Sequence, residues 1–86
     1  MYSIVLKPNV EKIFSKLKKR NPKQLEIIFK KITHILENPY HFKPLKGDMH
    51  GSRRVHIDSA FVLVYEIVEE NKIVRILDYN HHSKIY

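Results

Sequence analysis

The chain contains no cysteine and no tryptophan, only two glycines, and no long apolar run. Without cysteine there is no disulfide to brace a small core, no thiol nucleophile and no zinc-finger ligand set. No stretch approaches the roughly 18 consecutive apolar residues of a membrane span. The N-terminal MYSIVLKPN lacks the basic and long apolar regions of a signal peptide, so a cytoplasmic protein is expected. Acids are also scarce: nine Asp and Glu stand against sixteen Lys and Arg, leaving a net charge of +7 with histidine neutral. What remains is a chain of 86 residues, 43% hydrophobic and 29% charged, a composition that folds rather than stays disordered. That length holds one domain, spanning 1–86. A core so small, with no covalent brace, is expected to draw part of its stability from a partner.

The positive charge is concentrated. Residues 1–43 carry ten of the cations and three acids (Glu11, Glu26, Glu37), whereas 44–86 carry six of each. A basic half on a small domain fits a polyanion, nucleic acid being the commonest, or else a lysine-rich helix face that is simply solvated.

Periodicity divides the chain into six elements. YSIVLK (2–7) is rich in β-formers and stops at Pro8, which predicts a first strand. In the next segment Val10, Ile13, Phe14 and Leu17 fall at helical spacing, with Asn9 a plausible N-cap. Asn21 and Pro22 are suited to the N-cap and first position of a second helix, whose stripe runs Leu25, Ile28, Phe29, Ile32, Ile35, Leu36 and ends at Asn38-Pro39. YHFKPLKGDMHG (40–51) holds both glycines and reads as an ordered loop. Three strands follow, at about 52–57, 61–68 and 72–79, the last two joined by Glu69-Glu70-Asn71. The middle one carries apolar residues on both faces, the mark of a central strand, whereas the last, KIVRILDY, alternates poorly.

Five of the six histidines (His41, His50, His56, His81, His82) come after the helices. A metal site would explain the grouping, but HxH and HExxH spacings are absent and cysteine is lacking, so no metal and no cofactor are expected. Breaking RNA by attack of a 2'-hydroxyl explains it better. That reaction needs a base, cations for the phosphorane charge, and an acid for the leaving 5'-oxygen. Histidine suits the proton steps; Lys43, Lys46, Arg53 and Arg54 can supply charge, and Phe61 or Tyr86 can stack on a base. The competing view makes His56 a half-buried strand residue, His41 and His50 loop surface, and Tyr86 a core aromatic.

The order strand, helix, helix, strand, strand, strand, with KPLKGDMHGSRRVHIDSAFVLVYEI and the tail NHHSKIY, resembles the RelE/ParE toxin superfamily over essentially the whole chain. The pattern is nearest the YafQ and RelE-like mRNA interferase branch. The resemblance implies an α+β fold: an N-terminal strand and a two-helix hairpin packed on a small, mostly antiparallel four-stranded sheet. It also implies a toxin of a type II toxin–antitoxin system, a metal-independent endoribonuclease that cuts mRNA in the ribosomal A site. Its partners would be a cognate antitoxin, the ribosome and mRNA, with no membrane.

Carried over by residue, His56 matches the branch's strand histidine and Lys43 a loop histidine. Phe61 replaces a tryptophan, His82 matches the C-terminal histidine, and Tyr86 the aromatic four positions on. His81 is a rival to His82 by one position of register. The resemblance thus implies His82, His56, Tyr86, Arg54 and Lys43 as catalytic residues, with Lys46, His50, Arg53, Phe61 and His81 contacting RNA. Two departures stand out: the branch's aspartate falls on Ala60, and the central-strand arginine of RelE-like members falls on Val62. Arg54, Arg53 and Lys46 are then the remaining sources of transition-state stabilisation. Two other functions compete, a ParE-like inhibitor of gyrase and a non-catalytic RNA- or protein-binding module.

Overall fold

A computed structural model describes residues 1–42, 51–81 and 83. Strand β1 (Ser3–Leu6) leads into helices α1 (Pro8–Arg20) and α2 (Pro22–Glu37). After these come β2 (Ser52–Ile57), β3 (Phe61–Val68), a short 3-10 turn (Glu69–Asn71) and β4 (Ile73–His81). The strands lie in the order β1-β4-β3-β2, with β1 parallel to β4 and the other pairs antiparallel. This is the RelE-like α+β architecture expected from the sequence, and β3 does lie inside the sheet.

Local chemistry sets most of the boundaries. Lys7 rather than Asn9 is the N-cap of α1, because Pro8 has no N–H to satisfy and fits the first helical position. Asn9, displaced into the first turn, donates from Nδ2 to the Leu77 carbonyl at 3.4 Å. At α2 the expected cap forms: Asn21 Oδ1 accepts from the Gln24 N–H at 3.3 Å, with Pro22 next to it. Lys72, expected to open the last strand, instead adopts a left-handed conformation (φ 53°) that closes the turn, so β4 starts at Ile73 and runs on to His81.

The poor alternation of β4 has a structural cause. Val64 pairs with Asp78 and Tyr65 with Ile76, leaving Leu77 without a partner as an extra residue in the ladder. The bulge resets the parity, so that Val74 and Ile76 before it and Tyr79 after it all face the helices. They join Val10 and Phe14 of α1, Ile28, Ile32 and Ile35 of α2, and Val55, Ile57, Leu63 and Tyr65 in one core. Val62 and Val64 are just as deeply buried but alternate to the other face of β3, the one away from the helices.

The segment leaving α2 is pinned to the sheet. The Tyr65 hydroxyl, pushed up to a pKa of about 12 by burial, donates to the Pro39 carbonyl at 2.5 Å. Arg53 Nη1 donates to the carbonyls of Phe42 (2.6 Å) and Tyr40 (3.4 Å), and its guanidinium lies 5.2 Å from the centre of the Tyr40 ring. Pro39 is fully buried, so Tyr65→Phe should leave its carbonyl without a donor and lower stability by about 1 to 3 kcal/mol. Urea denaturation measures this; an unchanged midpoint would mean that water serves the carbonyl equally well.

Glu69 ties the same segment to the start of the chain. Its carboxylate accepts from the hydroxyls of Tyr2 (3.0 and 2.7 Å) and Tyr40 (2.8 Å) and pairs with the Lys72 ammonium. The bond from Lys72, then those from Tyr2 and Tyr40, pull the Glu69 pKa from an ordinary 4.5 down to about 2. A carboxylate whose pKa is depressed on folding adds stability above its unfolded pKa and loses it as pH falls through the folded one. The stability gap between wild type and Glu69→Gln should therefore be full at pH 6 and shrink between about pH 4.5 and pH 2. Thermal melts of both proteins across that range test it, and a gap independent of pH would assign the effect to packing.

Candidate functional site

Alternation along β2 sends Arg54 and His56 to the face of the sheet that the helices leave open, while Arg53, Val55 and Ile57 turn toward the helices. Across the ladder, His56 lies in one row with Val62 and Asn80, and Arg54 in the next row with Val64 and Asp78. A third row joins Ser52, Glu66 and Arg75, whose Nη1 meets Glu66 Oε2 at 3.1 Å. The helix-free face therefore has at its centre two valines, Val62 and Val64, with almost no surface of their own left to solvent, and polar side chains of β2 and β4 beside them. Arg54 is half-buried and His56 exposed, so His56 is not the half-buried strand residue that the competing view made of it.

β2 is also the edge of the sheet, and beyond it runs a groove of about 390 Å³ lined by Lys31, His41, Phe42, Arg54, Val55 and His56. Arg54 and His56 thus border two surfaces, the open face and the groove. Lys31 and His41 escaped sequence reasoning as a pair. Lys31 reads as one more cation of α2, and its nearness to β2 depends on how the helix packs on the sheet.

Phe61 and His81 have a different setting. They are paired across β3 and β4 on the side that faces the helices. The Phe61 ring stacks on Tyr79 (5.3 Å, 8° between planes) and meets His81 edge-on at 5.7 Å, while His81 Nδ1 lies 2.9 Å from Ser83 Oγ. The phenol of Tyr79 accepts from Gln24 Nε2 at 2.6 Å, which locks this aromatic row to α2. The structure thus brings Arg54 and His56 together, puts Phe61 and His81 on the opposite side of the sheet, and commits Arg53 to the carbonyls of Tyr40 and Phe42. Lys43, Lys46, His50, His82 and Tyr86 lie outside the described residues. Among the described residues no group of His, Asp or Glu is arranged to hold a metal ion, and no helix is long and apolar enough to cross a membrane.

The profile of a family described as the ParE toxin of type II toxin–antitoxin systems (parDE) matches residues 4–86. The chain belongs to this toxin family. The toxin is 50% identical over its full length to an uncharacterised protein of Methanosarcina mazei, which it covers completely. It is 45% identical, again over its full length, to RelE4, a candidate toxin of Methanocaldococcus jannaschii, covering 92% of that protein. Among solved structures it resembles the intact Escherichia coli RelBE toxin–antitoxin complex, with a TM-score of 0.81 and 21% identity over 94% of this chain and 96% of that one. At that identity the likeness shows the shared RelE/ParE fold, and function has to be argued from the site.

Proposed function

We propose that this toxin is a ribosome-dependent mRNA endonuclease that cleaves by metal-independent acid–base chemistry, with attack of the 2'-hydroxyl on the adjacent phosphate. The observation that carries the reading is the pair Arg54 and His56, side by side on the open face of the sheet in a strand that can accept an extended ligand. The guanidinium of Arg54 is suited to the charge that develops on the phosphorane, and the His56 imidazole to a proton step. Resemblance adds His82 and Tyr86 as the second proton-transfer residue and its aromatic neighbour, and Lys43 as a further cation. Lys46 and His50 are proposed contacts to the RNA backbone. In this reading Arg53 acts as a positioning residue through the Tyr40–Phe42 segment, and Phe61 and His81 frame the end of the sheet. With valine at 62 and alanine at 60, Arg54 is the principal transition-state cation among the described residues.

A cognate antitoxin is the proposed protein partner. Supporting it is an apolar surface on the helical side, where two adjoining cavities of about 650 and 480 Å³ share Leu25 and Phe29 and are edged by charges of both signs, Lys30 and Glu26 in one and Lys18 and Glu11 in the other. Phe29 remains 45% exposed, a large apolar group awaiting cover.

The family profile bears the ParE name, which favours gyrase inhibition as the second reading. One experiment separates them. Purified toxin, stripped of bound metal by dialysis against EDTA, is added to mRNA-programmed ribosomes in their ordinary magnesium buffer and, in parallel, to a gyrase supercoiling assay. Cleavage of the message with supercoiling intact supports the nuclease. Intact message with blocked supercoiling overturns it in favour of gyrase, and neither effect would leave a binding module.

A further inference from the structure

The groove on the edge of β2 has features that cleavage at Arg54 and His56 does not itself require. Besides Arg54 and His56, its described lining holds a further cation, Lys31, and a further imidazole, His41, and no carboxylate. Phe42 and Val55 give it an apolar wall, and the His41 and Phe42 rings meet edge-on at 5.1 Å. The Arg53 bond to the Phe42 carbonyl and the His41 N–H donating to the Asn38 carbonyl (3.2 Å) hold the two rings beside the strand. Lys31 is half-buried on α2, so its ammonium is confined to the groove's neighbourhood more than the exposed lysines of the helical hairpin are. A volume of about 390 Å³ is within the range of small-ligand sites and suits a single nucleotide.

We infer that this groove is a nucleotide subsite for the RNA chain next to the scissile phosphate, with Lys31 and His41 holding a backbone phosphate and Phe42 offering a face to the base. The inference rests on the nuclease reading and extends it: the RNA crosses the open face at Arg54 and His56 and then turns over the edge of β2 toward α2. The site combines a fixed charge with an aromatic surface, the two means by which proteins hold single-stranded nucleic acid without sequence-specific hydrogen bonds.

The probe is a fluorescein-labelled single-stranded RNA 12-mer carrying a 2'-deoxy nucleotide at the cleavage position, bound to full-length toxin and followed by anisotropy from low to moderate salt. Lys31→Ala and His41→Ala should each weaken binding about 3- to 10-fold at low salt, and Lys31→Ala should reduce the salt slope by about 0.7, one phosphate contact to a single strand. In cleavage assays Lys31→Ala should raise KM and spare kcat, and Lys31→Arg should restore binding. Lys23→Ala, a comparable charge loss at the far end of α2, should do much less.

Normal binding by Lys31→Ala and His41→Ala, alongside weakened binding by Arg54→Ala, would overturn the subsite while keeping the nuclease reading. Normal binding by all three would likewise overturn the subsite, and the nuclease reading is then decided separately by cleavage of the message on programmed ribosomes and its loss in Arg54→Ala. Unchanged thermal melts confirm that the variants are folded.

Discussion

Arg54→Ala should lower the rate of mRNA cleavage on programmed ribosomes by about 100-fold or more. The size follows from removing a preorganised donor aimed at charge that develops in the transition state, which typically costs about 10²- to 10³-fold. Arg54 pairs with Val64 on the face of the sheet away from the helix-covered core and is half-buried there, so the thermal midpoint is measured beside the rate. His56→Ala should act on the same step, at about 10²- to 10⁴-fold for the loss of a proton-transfer group. Single-turnover cleavage with saturating toxin isolates this effect from binding. Because both residues act on one phosphate, the double variant should fall well short of the product of the two losses. Rates within a few-fold of wild type in both variants would remove the sheet face from the chemistry.

Ile28→Ala should have the largest effect on stability, about 3 kcal/mol, within the 2 to 5 kcal/mol usual for an isoleucine excised from a packed interior. Ile28 is fully buried on α2, in the same core as Val55, Leu63 and Tyr65 of the sheet. For a domain of this size the thermal midpoint should drop by more than about 10 °C. Ile27 next to it is 38% exposed, and Ile27→Ala should change stability by no more than about 0.5 kcal/mol. Two substitutions of the same chemistry one residue apart thus test which face of α2 is the inner one. Equal effects would contradict the packing described here.

The consequence for function lies in the route from core to site. α2 presents Ile28, Ile32 and Ile35 to the sheet and Lys31 to the groove. Loosening its packing should therefore displace Lys31, on the helix side of the groove, before it disturbs Arg54 and His56 on the strand side, which are held by the backbone ladder of β2 and β3.

Much of this toxin was written locally in its sequence. The helical stripes, the Asn21–Pro22 start of α2, the strand at 52–57 and the two-faced apolar pattern of 61–68 each follow from side-chain period and backbone chemistry, which act over a few residues. The order of those elements, with the motif around Tyr65 and the tail NHHSKIY, was enough to point to the RelE/ParE fold. Strand alternation alone put Arg54 and His56 on one face. Other features depended on contacts between residues far apart in the chain. The bulge at Leu77, which turns Tyr79 inward, is a product of pairing with β3. The separation of Phe61 and His81 from His56 depends on the sheet's register and on which face the helices cover. Arg53, a cation like Arg54 to any reading of the sequence, is directed by its neighbour's opposite parity to the carbonyls of Tyr40 and Phe42. Lys31 and His41 reach β2 only because α2 lies across the sheet. Periodicity records which face of an element is apolar, but the partner that the polar face meets is chosen by packing.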